Sequence, residues 1–229
     1  MNNFIEIKNL TKNYYSKDKI KVLNKINFKF KKGYIYSIVG PSGSGKSTLL
    51  NLLSLIDRPT SGSIKINKEN INFDNISFND KLRANKIGIV YQDKNLLSDF
   101  TALENVYLAR LSIDHDKSKA IKDAREIIKK VGLTNRVDHY PSELSGGEAQ
   151  RIAISRSLIN SPEIILADEP TGNLDHKNAK EIFKIFFNLK TKQRIIIFAT
   201  HNRYFANMAD CKIQMIDGKM KIINGKIRK

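Results

Sequence analysis

Residues 40–48 read G-P-S-G-S-G-K-S-T, directly after the apolar run Y-I-Y-S-I-V at 34–39. The spacing G-x-x-x-x-G-K-S/T predicts a strand that runs into a phosphate-binding loop and then a helix. Gly40 and Gly45 let the backbone close around a polyphosphate with its N–H groups turned inward; Pro41, Ser42, Gly43 and Ser44 form the loop between them. The following helix adds the positive end of its dipole. Lys46 then reaches the β- and γ-phosphates, and Ser47 holds Mg²⁺, with Thr48 beside it. A Gly/Ser turn with a stray lysine is the competing reading. It accounts for neither the preceding strand nor the apolar L-L-N-L-L at 49–53. The loop is expected to bind a nucleotide.

Outward from this loop, strand-like and helical segments alternate, which argues for an α/β sheet. Residues 4–8 and 22–30 alternate polar with apolar, as half-exposed antiparallel strands do. Residues 34–39, 87–91, 164–167 and 194–199 are short apolar runs suited to central parallel strands. Residues 60–63, T-S-G-S, read as a turn before a strand at 64–66. Between about 96 and 159 helical spacing prevails, at 102–108 and 120–131, with Gly132 as a C-cap. Asp217-Gly218 reads as a hairpin turn between strands at 211–216 and 219–223. The expected architecture is one domain, 1–229. It has a P-loop NTPase core with a mostly parallel central sheet and an N-terminal antiparallel β-subdomain (1–93 and 160–229), and an inserted α-helical subdomain at 94–159.

Composition narrows the class. Lys+Arg 40 against Asp+Glu 23 gives a net charge of +17. That permits contact with nucleic acid or an anionic leaflet. The lysines are scattered among frequent asparagine and isoleucine, as an AT-rich genome produces, and no specific nucleic-acid partner is expected. No apolar run approaches the roughly 18–20 residues of a membrane span. The opening M-N-N-F-I-E lacks the basic and apolar regions of a signal peptide. One cysteine, Cys211, fits a reducing cytosol and reads as a small buried hydrophobe. His115, His139 and His176 lack partners at metal-ligand spacing and are expected at the surface. Phe183, Phe186 and Phe187 read as core.

Two further motifs carry chemistry. Asp168-Glu169 closes the apolar run at 164–167. A carboxylate at a buried strand tip can hold the Mg²⁺ shell, and Glu169, pointing differently, can polarise an attacking water. Residues 144–151 read L-S-G-G-E-A-Q-R. Ser145, Gly146 and Gly147 sit just before a helix, which makes a second helix-terminus anion site. Ser145 with Glu148 three residues on is also a capping box. The two readings are compatible, because both use the same free N–H groups.

L-S-G-G-x-x-Q-R resembles the signature of ATP-binding-cassette (ABC) ATPases, and the resemblance covers essentially the whole chain. Residues 40–48 resemble the Walker A motif, Gln92 the Q-loop glutamine and 164–169 Walker B. Residues 172–175, G-N-L-D, resemble the D-loop, and Thr200-His201 the switch histidine. Tyr14 sits where the family places an aromatic on adenine. The run A-D-E-P-T-G-N-L-D at 167–175 resembles the LolD-, MacB- and FtsE-like branch (lipoprotein release, macrolide or antimicrobial-peptide export, cell division).

The resemblance implies a head-to-tail pair, a homodimer, with ATP held by one copy and capped by Ser145 and Gly147 of the other. It implies Glu169 as general base and Gln92 as a Mg²⁺ sensor. His201 is expected to bridge the γ-phosphate, the water and the opposing Asp175. The expected partner is an integral-membrane permease of MacB/FtsX-like type, contacted around residues 92–108. That places the chain in the cytoplasm, peripheral on the inner face of the membrane, and makes it an export or extraction ATPase. The alternative is an FtsE-like subunit that signals to a cell-wall hydrolase. A soluble cassette acting on nucleic acid lacks support, for there is neither a coiled-coil or zinc insert nor a second cassette. Three departures stand out: Lys94 in place of an aromatic, Glu148-Ala149 in place of two glutamines, and Asn202 in place of aspartate.

Overall fold

A computed structural model describes residues 3–15 and 19–225. Met1 and Asn2, which open the stretch read above for a signal peptide, lie outside the described residues. In chain order the elements begin with β1 (Asn3–Tyr15), β2 (Lys19–Lys31), β3 (Ile35–Val39), α1 (Lys46–Leu53), β4 (Ser61–Ile66) and β5 (Glu69–Asn70). Then come α2 (Ile76–Lys86), β6 (Ile87–Val90), α3 (Ala102–Leu111), α4 (Lys117–Lys130) and α5 (Gly146–Leu158). The chain closes with β7 (Ile164–Asp168), α6 (His176–Asn188), β8 (Ile195–Ala199), α7 (Arg203–Met208), β9 (Cys211–Ile216) and β10 (Lys219–Gly225). Among the described residues no helix is long and apolar enough to cross a membrane. The chain divides into two compact units, residues 1–80 with 190–229, and residues 81–189.

In the first unit, β1 is central to an antiparallel sheet of order β2-β1-β4-β5. Ile7 lies opposite Phe28 of β2 and Ile64 of β4. Period-two alternation buries Ile5 and Ile7 while Lys8 faces solvent,. The turn expected at 60–63 is a strand from Ser61 onward. Ser61 pairs with Thr11 and Ser63 with Lys8. Ladder pairing overrides the local turn propensity of serine and glycine there.

β3 lies parallel to both β8 and β9, and β10 returns antiparallel to β9. Ile35, Tyr36 and Ile38 are all buried, as a strand covered on both faces requires,. Tyr36 joins the two sheets of this unit. Its ring packs edge-on against Phe30 at 4.9 Å. Its hydroxyl accepts from the Lys31 N–H at 2.7 Å. Asp217 and Gly218, both at positive φ, make the expected hairpin turn,. Cys211 is fully buried beside Tyr36, as read from sequence, and burial pushes its thiol up to about 11.

In the second unit, β6 and β7 pair in parallel, Ile87 with Ile164 through Val90 with Ala167. Between them the chain forms α3, α4, two short 3-10 turns and α5. Ala102, Val106, Ala120, Ala124, Ile128 and Ile152 make their shared core. Thr101 and Glu104 form a capping box at α3, and the Asp116 carboxylate caps α4,. Gly132, at φ +76°, ends α4 as expected, with the Leu133 N–H reaching back to the Ile128 carbonyl,. On α6, Phe183 and Phe186 are buried and Phe187 half-buried, in agreement with a packing role. His115 and His176 are exposed. His139, expected at the surface, is half-buried, with Nε2 3.2 Å from Arg136 Nη1. Helices α2 and α7 have no counterpart in the sequence reading.

Candidate nucleotide site

The first unit carries the phosphate loop, Tyr14 and His201. Residues 40–45 leave β3 and enter α1 through Gly45, whose φ of +100° is a left-handed conformation that costs glycine nothing,. A Cβ there would also stand 2.8 Å from Leu23 Cδ2 and 2.9 Å from the Val22 carbonyl. No side chain caps α1 and no acid occupies its first turn. Its leading N–H groups are therefore left for an anion. Lys46 Nζ donates to the Gly40 and Pro41 carbonyls, each at 2.9 Å, so the ammonium is folded into the loop. Ser44 is buried, and its Oγ has no hydrogen-bond partner. A buried hydroxyl left unsatisfied is costly unless a ligand completes it. Around Gly43, also at positive φ, there is open space. Pro41, Ser42, Gly43 and Ser47 are exposed. These features fit a polyphosphate.

Tyr14 is held by partners far away in sequence. Its hydroxyl donates to Asp57 Oδ2 at 2.9 Å, and Lys12 Nζ lies 4.8 Å from its ring centroid. Lys12 is itself buried against Asp57 Oδ1 at 2.6 Å and the Arg58 carbonyl at 2.8 Å. Burial works to raise the Asp57 pKa, but hydrogen bonds from Lys12 and Tyr14 prevail and hold it below the usual carboxylate range. Thr48 lies beside the Tyr14 phenol, so two of the expected nucleotide residues meet. His201 is exposed beyond the end of β8. Asn202 caps α7, accepting from the Tyr204 N–H at 3.0 Å and the Phe205 N–H at 3.3 Å. Aspartate would cap equally well, so this departure is structurally neutral.

The second unit carries Gln92, Ser145, Gly146, Gly147, Asp168, Glu169 and Asp175. Asp168 ends β7 half-buried, and Glu169 follows at φ +44°. That conformation is strained for a residue with a Cβ, and such strain gathers at functional positions. The Gly172 N–H closes the turn onto the Glu169 carbonyl at 3.0 Å. The Gln92 side chain lies over Gly172, where a Cβ would approach its Nε2 to 3.0 Å. Ser145 caps α5: its Oγ accepts from the Glu148 N–H at 3.3 Å, and its N–H donates to Glu148 Oε2 at 2.8 Å. Asp175 caps α6, and Asn178 packs on Gly147 so closely that a Cβ there would come within 2.4 Å. The loop holding Gln92, the 172–175 turn and the Ser145 helix tip thus meet within this unit.

Residues 23–172 match the family model described as ABC transporter. The chain belongs to the ABC transporter family. It is an ATPase of that family. Its curated relatives include the lipoprotein-releasing system ATP-binding protein LolD of Cytophaga hutchinsonii, 44% identical over 200 residues (87% of this chain, 91% of the relative). LolD of Rickettsia conorii is 46% identical over 213 residues (92% and 94%). Among solved structures, the dimeric ATP-binding cassette MJ0796, bound to ADP and phosphate in a post-hydrolysis state, superposes with a TM-score of 0.89. It is 36% identical, covering 96% of this chain and 99% of its own.

Several contacts that shape this ATPase's loops escaped the sequence reading. Gln150 Nε2 donates to the Tyr91 carbonyl at 3.3 Å. Arg156 donates to the Lys94 and Asn95 carbonyls at 2.9 and 2.7 Å. Both lie on α5, so the signature helix grips the chain on either side of Gln92. Asn105, buried, accepts from the Leu97 N–H and donates to the carbonyls of Leu97, Phe100 and Thr101. Arg136 Nε donates to Glu148 Oε1 at 2.8 Å. That guanidinium, with the Ser145 N–H, pulls the Glu148 carboxyl down to about 2.

Proposed function

We propose that this ATPase pairs with a second copy of itself around ATP and powers a separate membrane permease that releases lipoproteins. The buried, unsatisfied Ser44 hydroxyl beside the uncapped N-terminus of α1 is the observation that carries nucleotide binding. The relatives' names support lipoprotein release over macrolide export or FtsE-like signalling, and a permease of the lipoprotein-releasing type over the MacB/FtsX-like type. The dimeric cassette supports the pair. The chain then works peripherally, on the cytoplasmic face of the membrane, through its permease. In this reading 94–159 is the helical signature subdomain, and 1–93 with 160–229 the core.

The loop amides of 40–48 and Lys46 grip the phosphates while Tyr14 stacks on adenine. Ser145, Gly146 and Gly147 of the partner subunit cap the γ-phosphate. As the family resemblance implies, Ser47, Gln92 and Asp168 would hold Mg²⁺, which would offset charge on the phosphate oxygens. Glu169 accepts a proton from the attacking water, and His201 steadies that water against Asp175 of the partner subunit. Gln92 passes the state of the site to the helices of 94–159. Loss of the γ-phosphate removes the bridge, and the copies part.

Glu169→Gln is expected to keep ATP binding, to lower turnover by about 10²-fold or more, and to trap an ATP-bound dimer. Gel filtration with Mg-ATP checks this. A variant that stays monomeric and turns over normally rules out the role of Glu169.

A further inference from the structure

Glu148 stands at the third position of α5, three residues after Ser145. A glutamate places a full negative charge one helical turn from Ser145, at the helix tip read above as the cap on a γ-phosphate. Left alone, that carboxylate would repel the phosphate it sits beside. It is not left alone. Oε2 is taken by the Ser145 N–H at 2.8 Å, and Oε1 by Arg136 Nε at 2.8 Å. The next cation along α5, Arg151, is engaged elsewhere, 2.9 Å from Glu181. Arg136 stands in the short 3-10 turn Thr134–Arg136. Its Nη1 rests 3.2 Å from His139 Nε2, which orients the guanidinium plane.

We infer that Arg136 is a positioning residue for the signature serine: it neutralises Glu148 and fixes that carboxylate on the Ser145 N–H, so that the Ser145 hydroxyl and the Gly146 and Gly147 amides face an incoming phosphate without a competing negative charge. Arg136 and Glu148 act as a unit here, a compensated ion pair at 2.8 Å. Neither residue touches the phosphate. The geometry also states what each oxygen of Glu148 does, so the two contributions separate by mutation. A glutamine at 148 can still accept from the Ser145 N–H through its carbonyl, but it brings no charge that needs Arg136.

This inference rests on the ATP-sandwich reading, and the test separates the two. In a Glu169→Gln background, the Mg-ATP concentration for half-dimerisation is measured by sedimentation, and ATP affinity of the monomer by calorimetry. Adding Arg136→Ala is expected to raise the ATP needed for dimerisation about tenfold, with monomer affinity unchanged, because the phosphate loop is intact. Adding Arg136→Ala to a Glu148→Gln parent is expected to change it less than about twofold. Arg136→Lys, which restores charge without the planar fork, is expected in between. Monomers that lose ATP affinity with Arg136→Ala overturn the inference. So does a double variant as impaired as the single one, or a single one without effect. If Arg136→Ala does not fold, Arg136→Gln replaces it with the same expectations. A Glu169→Gln parent that never dimerises sinks the sandwich reading, and this inference with it; a dimerising parent indifferent to Arg136 sinks only the inference.

Discussion

At the scale of single residues, the phosphate loop and the signature tip depend on different physics. Lys46 is a cation held by two carbonyls at 2.9 Å, so it is already in place before any phosphate arrives. Lys46→Ala removes the only side-chain charge of the 40–48 loop, and nucleotide affinity is expected to fall about 100-fold. Unchanged ATP binding by calorimetry contradicts the loop assignment. Glu148 makes a prediction about pH. Its carboxyl is held at about 2, below the ordinary 4.5. A depressed carboxylate contributes stability that is fully present above its unfolded value and is lost on acidification. Unfolding midpoints in urea are therefore expected to fall between pH 4.5 and 2 more steeply in the wild type than in Glu148→Gln. Equal slopes would show that Arg136 and Ser145 do not hold the charged form.

At the scale of elements, buried amide side chains fasten loops to helices. Asn105 on α3 is 1% exposed and makes four hydrogen bonds to the backbone of residues 97–101. Asn105→Ala strands one N–H and loosens three carbonyls, which is expected to cost about 2 kcal/mol or more. Urea unfolding measures it, and a loss below about 0.5 kcal/mol would mean that solvent replaces these bonds freely. Residues 97–101 lie in the stretch expected to face the permease, so the same variant is expected to weaken permease coupling. Element identity was legible wherever one period dominated. The runs at 35–39 and 164–167 are continuous apolar stretches, which is the pattern of a parallel strand buried on both faces,. Residues 61–63 were not legible, since the turn propensity of Ser-Gly-Ser is local while their pairing with Thr11 and Lys8 is not.

At the scale of the whole molecule, a net charge of +17 permits contact with an anionic leaflet, and among the described residues no helix is long and apolar enough to cross a membrane,. Protein tagged and purified from its native membrane is expected to bring down a permease of the lipoprotein-releasing type. Recovery only of ribosomal or nucleic-acid-bound partners would overturn the transport reading. The order of motifs along the chain, from Tyr14 through His201, was enough to name the family, because each motif is short and local. The family match over 23–172 and the relatives named LolD agree with that order.

The sequence alone determined which residues could meet phosphate. Backbone closure at 40–48, the capping box at Ser145 and the carboxylates ending β7 are all set by neighbours a few positions away. Only the tertiary structure decided what holds those groups still. Asp57 lies 43 residues from Tyr14, and Arg156 lies 62 from Lys94. No periodicity encodes such pairs, because a side-chain hydrogen bond across the fold depends on where the packed elements bring its donor and its acceptor.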